Sequence, residues 1–372
     1  MISKLHKIWN VEKYAICPVF TGYESVQHQL DQFTKDSYIK DPDNTVQQVF
    51  EIYRSINIVP ITYYTEDGLI DAIKELESTK ANPVKKDVLG LGNNQGQSIN
   101  RFLFPNMMTA EPKGRGSNSL KDRFLDDVKL KRAITICFKH RDGNNLASPA
   151  ALRRALELVT GENIQNFKSL NARAIAEYLC PTMWGNVYDY SAGYGGRMLG
   201  ISTSNMKYNY HGVDPNTETV QYLEYLSSLI EEATGTTPKI TCSVSEEFQP
   251  NDIDLAFSSP PYFNLEKYSD EPTQCMVRYT TLDDWFEKYV APTMQNIYNS
   301  LNNDGIFATN IADYKSYGNK EYQVVDRWCE LAEKIGFKRQ QTIKMMLNTR
   351  PGVGNNKTQG REKFEGIYVF KK

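Results

Sequence analysis

Apolar positions change their rhythm near residue 165, and the chain divides there. Upstream, the spacing is helical or irregular. Residues 44–58 and 66–79 carry apolar side chains at three- and four-residue intervals, which predicts two amphipathic helices, the second opened by Glu66 and Asp67. Residues 58–64 between them read as a short extended piece. Residues 88–119 are rich in Gly, Asn and Ser, which predicts a loop, broken by an aromatic stretch at Phe102-Leu-Phe-Pro105. Helical spacing returns over 120–139 and 149–159, where Ser148 and Pro149 suit the cap and first position of the second helix.

Downstream, the pattern alternates. A helix over 170–180 precedes strand-length apolar runs at 186–191, 208–214, 238–244, 253–258 and 305–312. Helical stretches begin near 195, 216 and 283, another lies near 320–335, and two strands at 339–347 and 365–371 close the series. Five strands with helical crossovers and a final pair predict a doubly wound α/β sheet. The expected organisation is a helical, loop-rich region over 1–165 and an α/β domain over 166–372.

With 372 residues, the chain can hold one large core and a smaller companion. Its cysteines (Cys17, Cys137, Cys180, Cys242, Cys275 and Cys329) are scattered, with no Cys-x-x-Cys pair. That speaks against zinc and against a disulfide framework, and for a reducing, cytoplasmic setting. The four histidines form no metal-like cluster, so no metal is expected. No apolar run is long enough for a bilayer and the opening residues lack a signal-peptide core, so no membrane partner is expected. The net charge of −2 is unevenly spread: residues 1–83 carry −4, residues 84–168 carry +7, and residues 169–372 carry −5. The basic middle is either a phosphate-binding surface or a solvated face. Arg101, Lys113 and Arg115 lie on it, beside Phe102 and Phe104, which either stack on bases or pin the loop to a core.

Four stretches carry candidate chemistry. In Val187-Tyr-Asp-Tyr-Ser-Ala-Gly-Tyr-Gly-Gly-Arg197, a strand ends at Asp189 and a glycine turn leads into a helix. Gly193, Gly195 and Gly196 let a ligand approach the backbone, or serve the turn alone. The pattern is neither the dinucleotide fingerprint nor a phosphate-cradling loop. Asp214 ends the next strand, 25 residues after Asp189, where an acid accepts from ribose hydroxyls or caps the helix that follows. Ser243-Val-Ser-Glu-Glu-Phe248 places Ser245 or Glu246 after the third strand, beside a ring or in solvent. Finally, the buried run of Asp254-Leu-Ala-Phe-Ser-Ser-Pro-Pro-Tyr262 stops at two prolines, at the sheet edge where ligands bind. There a hydroxyl, rigid carbonyls and an aromatic face suit a flat ring bearing an exocyclic amine. Phe263 and Tyr268 either line that pocket or pack.

Together these stretches resemble the class I S-adenosylmethionine-dependent methyltransferases, and within them the DNA amino-methyltransferases that modify cytosine N4 or adenine N6. The likeness covers roughly 165–372. Gly193-Tyr-Gly-Gly-Arg197 and Ser259-Pro-Pro-Tyr-Phe-Asn-x-Glu-Lys-Tyr-Ser269 are also similar to DNA methylase-like proteins of phages and mobile elements. The resemblance implies a Rossmann-like, seven-stranded sheet with a closing antiparallel pair. It implies S-adenosyl-L-methionine held by Asp189, Ser191, Gly193, Gly195, Asp214, Ser245 and Phe167. It assigns the target amine to Ser259, Pro260, Pro261 and Tyr262. Three departures stand out: Tyr190 replaces the usual phenylalanine, Phe167 lacks the family's following proline, and Ser245 stands near the place of an aspartate.

The implied reaction is direct methyl transfer without a covalent intermediate, on a base flipped out of duplex DNA. Only about 70 residues separate the glycine turn from Ser259, which leaves no room for a target-recognition domain. Recognition is expected from the N-terminal region (Arg101, Lys113, Arg115), from 263–282 (Phe263, Asn264, Lys267, Tyr268), or from the basic loop 348–363 with Arg350, Lys357, Arg361 and Lys363. An RNA base methyltransferase and a non-catalytic nucleic-acid-binding protein on the same fold are the competing expectations.

Overall fold

The computed structural model describes Trp9 and residues 26–56, 60–112, 118–141, 143–160, 163–316, 320–347 and 363–372. In chain order, α1 (Lys35–Lys40), α2 (Pro42–Ile56) and α3 (Glu66–Ser78) lead to the short strand β1 (Val88–Leu89). Then come α4 (Gln97–Leu103), α5 (Leu120–Leu125), α6 (Asp127–Lys139) and α7 (Pro149–Thr160). The alternating part runs α8 (Ser169–Leu179), β2 (Asn186–Asp189), α9 (Gly196–Ser202), β3 (Asn209–Asp214), α10 (Thr217–Thr234), β4 (Lys239–Cys242) and β5 (Ile253–Ser258). Next, α11 (Leu282–Trp285) passes through a π turn (Phe286–Val290) into α12 (Ala291–Ser300). After β6 (Leu301–Asn310) stand the small strands β7 (Tyr314–Lys315) and β8 (Glu321–Tyr322), then α13 (Val325–Ile335), β9 (Lys338–Leu347) and β10 (Lys363–Lys371). No helix among the described residues is long and apolar enough to cross a membrane.

The chain packs as two units, one of 1–69, 101–165 and 266–269, the other of 70–100, 166–265 and 270–372. The first is helical. Val49 and Tyr53 of α2, Leu130, Ile134 and Phe138 of α6, and Leu152 and Leu156 of α7 are buried. The helix expected over 120–139 breaks at Asp126, whose carboxylate accepts from the Lys129 amide and caps α6. The loop expected over 88–119 contains α4 and a 3₁₀ turn. There Phe102 and Phe104 are buried, and the rings of Trp9, Tyr63 and Tyr64 meet Phe102 edge-on at 5.0–5.7 Å. These phenylalanines therefore pin the loop to the core.

The second unit is built on an eight-stranded sheet in the order β1-β9-β10-β6-β5-β2-β3-β4. Strands β2 to β6 run parallel, and β10 lies antiparallel between β6 and β9. With the edge piece β1 set aside, this is the Rossmann-like sheet of class I methyltransferases, including the expected antiparallel closing pair. Alternation along the strands divides the two faces. On one face, Tyr188, Ala256, Phe307 and Phe370 pack under Trp285, Tyr289, Met294 and Trp328 from the π turn and the helices beside it. Phe257, the next residue along β5, meets Phe167 instead, with ring centroids 5.7 Å apart.

Two glycines of α9 set how the helices meet. A Cβ on Gly200 would stand 1.9 Å from the Ser169 carbonyl oxygen, and one on Gly196 would stand 2.2 Å from that of Phe167. Backbone thus touches backbone where α9 crosses the start of α8. Residues 70–100, expected with the N-terminal region, join this unit because buried Arg173 of α8 ties them down. Its guanidinium donates to the carbonyls of Leu76 at 2.9 Å, Thr79 at 2.8 Å and Gly200 at 3.2 Å. The last carbonyls of α3 lack helical partners of their own, and Arg173 satisfies them.

Candidate functional site at the carboxyl edge of the sheet

Because β2, β3 and β5 are parallel neighbours, their carboxyl ends share one edge. Asp189 ends β2 and is fully buried. Its carboxylate accepts from Arg197 Nε at 2.8 Å and Nη2 at 3.1 Å, from Ser258 Oγ at 2.7 Å and from Tyr210 OH at 2.8 Å. The Asp189 carboxylate, expected to meet the cofactor, is thus engaged by protein donors. A buried charge persists only when paired and hydrogen-bonded, and here, with the Ser191 amide at 3.3 Å, five protein donors engage it beneath the turn. The cluster fastens the ends of β2 and β5 to the first turn of α9, with the Tyr210 side chain reaching in from the amino-terminal part of β3.

Above Asp189 the glycine turn is held open by its neighbours. Gly193 (φ +54°) and Gly195 (φ +70°) take left-handed conformations, in which Cβ-bearing residues are strained. The Tyr194 carbonyl accepts from Asn100 Nδ2 at 2.7 Å and from Asn166 Nδ2 at 3.0 Å. Gly193 N donates to Asp214 Oδ2 at 2.9 Å, and Asn216 N to Oδ1 at 2.9 Å. Helix α10 is capped by Asn216, not by Asp214, its side chain accepting from Thr219 N. Burial pushes the Asp214 carboxyl up to about 6, against the pull of those two amides. Each oxygen takes one backbone donor and keeps capacity for another, which suits a vicinal diol. Phe167 lies next to this turn, half-buried, with the Arg197 guanidinium over its ring at 5.8 Å.

After β4, Ser245 turns inward, buried, with its hydroxyl 3.2 Å from Thr293 Oγ1. Ser245, expected beside a ring, thus has its hydroxyl next to Thr293. Glu246 is also largely buried, receives the Tyr279 hydroxyl, and pairs with Arg278 at 3.1 Å; its burial raises its carboxyl. Tyr289, from the π turn, brings its hydroxyl to 3.4 Å from Ser191 Oγ. Sequence reading missed Tyr279 and Tyr289, which belong to none of the four stretches that carry candidate chemistry. The extra residue of the π turn re-aims Tyr289, and nothing in the residue pattern announces it.

At the end of β5, Ser258 faces inward to Asp189, while Ser259 is half-buried and Pro260 buried. Among the described residues no protein hydrogen bond engages the Ser259 hydroxyl. The Tyr262 hydroxyl accepts from Ala312 N at 3.0 Å, and its ring meets Tyr314 edge-on at 5.0 Å. Asn264 donates to Tyr322 OH at 2.8 Å and accepts from Tyr314 OH at 3.1 Å, so three tyrosines and an amide brace one another. Phe263 is buried in the core against Tyr322, as the packing alternative has it. Lys267 and Tyr268 fall in the first unit, where Lys267 pairs with Glu111 at 3.3 Å and Tyr268 donates to Glu266. Arg101 pairs with Glu157 at 3.3 Å in that same unit. Lys113, Arg115, Arg350, Lys357 and Arg361 lie outside the described residues.

No protein-family model matches the sequence, and no curated protein matches it. Among solved structures, the chain is similar to a TehB-like SAM-dependent methyltransferase of Corynebacterium glutamicum, at 17% identity and TM-score 0.35, over 60% of this chain and 96% of that one. It is similar to a 1,6-didemethyltoxoflavin-N1-methyltransferase of Burkholderia thailandensis, solved with S-adenosylhomocysteine, at 14% identity and TM-score 0.37, over 55% and 77%. A third likeness is to TrmN of Thermus thermophilus, at 12% identity and TM-score 0.35, over 55% and 48%. The strand order of the second unit, not these likenesses, assigns the fold.

Proposed function

We propose that the chain is an S-adenosylmethionine-dependent methyltransferase acting on the exocyclic amine of cytosine or adenine in DNA. One observation carries this reading: the glycine turn, Asp214 and Ser-Pro-Pro-Tyr stand together at the carboxyl edge of β2, β3 and β5. The donor set fits the cofactor. Asp214 offers two oxygens to ribose hydroxyls, the turn from Ser191 to Gly195 offers backbone at close approach, and Phe167 offers an apolar wall. When bound, the cofactor supplies an electrophilic methyl group.

The remaining work falls to the chain's own residues. An aromatic amine is a poor nucleophile because its lone pair is delocalised into the ring. The Ser259 hydroxyl and the Pro260 carbonyl accept its hydrogens and favour the pyramidal form, in which the lone pair is available. Tyr262, fixed through its hydroxyl to the backbone at Ala312, presents a rigid ring against which a flipped base stacks. Positioning, rather than acid–base chemistry, supplies most of the acceleration.

The test is incubation of the protein with labelled S-adenosylmethionine and unmodified duplex DNA, followed by nucleoside analysis, with Tyr262→Ala as control. Label in N4-methylcytosine or N6-methyladenine, lost in the variant, is the expected result. No label in DNA, with label taken up when RNA is supplied instead, would overturn the DNA assignment, and failure to bind the cofactor would overturn the enzyme reading altogether.

A further inference from the structure

Residues 270–279 of the second unit, between Ser-Pro-Pro-Tyr and α11, form a strap tied down at both ends. One tie is at the end of β3. There Glu271 accepts from Thr217 N at 3.2 Å and from Thr217 Oγ1 at 2.8 Å, and the Thr273 hydroxyl donates to the carbonyl of Pro215, the residue after Asp214, at 3.2 Å. The other tie is beyond β4. There, after a single helical turn (Cys275–Arg278), Arg278 pairs with Glu246 at 3.1 Å and with Glu247 at 2.8 Å, and the Tyr279 hydroxyl donates to Glu246. Gln274 stands between the ties. Pro272 and Thr273 before it are exposed, whereas Gln274 is only 6% exposed, so its side chain turns beneath the strap. Its Nε2 is buried and has no hydrogen-bond partner among the described residues. A buried amide donor without an acceptor costs free energy, and native proteins leave few of them. Such a donor has a use where a ligand brings the acceptor.

We propose that Gln274 is a cofactor-binding residue, whose Nε2 donates to a ring nitrogen of the adenine of S-adenosylmethionine. The inference rests on the methyltransferase reading, in which Asp214 holds the ribose. The strap is fastened to the residue after Asp214 at one end and to Glu246 at the other, so a base joined to that ribose falls within its span. The ring nitrogens N1, N3 and N7 of adenine accept and do not donate, which matches an N–H that lacks an acceptor. Under the strap the bond is shielded from water, which strengthens it.

The experiment titrates the full chain with S-adenosylhomocysteine by calorimetry, alongside the 1-deaza, 3-deaza and 7-deaza analogues, in each of which one ring nitrogen becomes C–H. The wild type is expected to bind the parent compound and to bind one of the analogues about tenfold more weakly. Gln274→Met keeps the side chain's length and loses its amide. It is expected to bind the parent about tenfold more weakly than the wild type does, and to bind that same analogue as well as the parent. A structural role for Gln274 would instead weaken all of these ligands alike, and that result overturns the inference. So does a wild type indifferent to every analogue, a result that needs no variant to fold. A wild type that binds the parent, with Gln274→Met unchanged, sinks this inference alone. A wild type that binds none of the compounds sinks the methyltransferase reading with it.

Discussion

Replacing Arg197 with methionine strips the buried Asp189 carboxylate of its counter-charge. Two donors go at once, at 2.8 and 3.1 Å, and the Ser191 carbonyl loses the same guanidinium. Ser258 and Tyr210 remain, but they are neutral donors to a carboxylate with no solvent exposure. Breaking such a pair by removing one partner costs about 3–5 kcal/mol. With a urea slope of about 2–3 kcal/mol/M, the unfolding midpoint falls by roughly 1–2 M. Tryptophan fluorescence suits the measurement, because Trp184, Trp285 and Trp328 lie in the second unit and only Trp9 in the first. Adding Asp189→Asn to Arg197→Met should restore more than half of the loss, since a neutral amide accepts from one of the Ser258 and Tyr210 hydroxyls with its oxygen and donates its NH2 to the other, without a stranded charge. The double-mutant cycle then shows strong positive coupling. A single-variant cost below about 1 kcal/mol, or simple addition in the double variant, would refute the view that this pair holds the strand ends together.

Asp214→Asn should weaken S-adenosylmethionine binding about 10- to 100-fold in calorimetry, the worth of charge-assisted hydrogen bonds. In the wild type the dissociation constant should rise as pH falls through about 6, where Asp214 protonates and gives up an acceptor; the asparagine variant should lack this step. The effect on folding has the opposite sign. A folded pKa above the unfolded value of 3.8 makes Asp214 favour the folded state as pH falls from about 6 toward 4, and that contribution is lost again above pH 6. Gly200→Ala pushes a Cβ against the Ser169 carbonyl and should lower stability by more than about 3 kcal/mol, read as a fall in the melting temperature. Tyr262→Phe removes one hydrogen bond to Ala312 and should cost methyl transfer less than about tenfold, whereas Tyr262→Ala should cost at least about a hundredfold with cofactor affinity unchanged.

Strand-length apolar runs with turn residues between them placed the seven main strands of the second unit within a few residues of where they lie. The convergence of Asp214, the glycine turn and Ser259 was also legible, because a doubly wound sheet brings the carboxyl ends of those strands together. What residue patterns do not show is the direction of a side chain. Asp189 and Ser245 occupy the expected chain positions, yet Arg197 and Tyr210 draw one inward, and Thr293 engages the other. The membership of 70–100 was equally hidden. It rests on Arg173 reaching across nearly a hundred residues of sequence to the end of α3, and no local pattern records so distant a pairing.

The place of β10 in the sheet has a consequence for how the chain is made. It hydrogen-bonds to β6 on one side and β9 on the other, although both are synthesised before it. During translation, β6 therefore presents an open edge, and β9 has no seat beside it until β10 arrives. Non-local closure of this kind slows folding and leaves unpaired strand edges exposed on the nascent chain. Any ribosomal pause after β9 prolongs that interval, which makes this the stage at which a chaperone that shields strand edges would most improve the yield of folded protein.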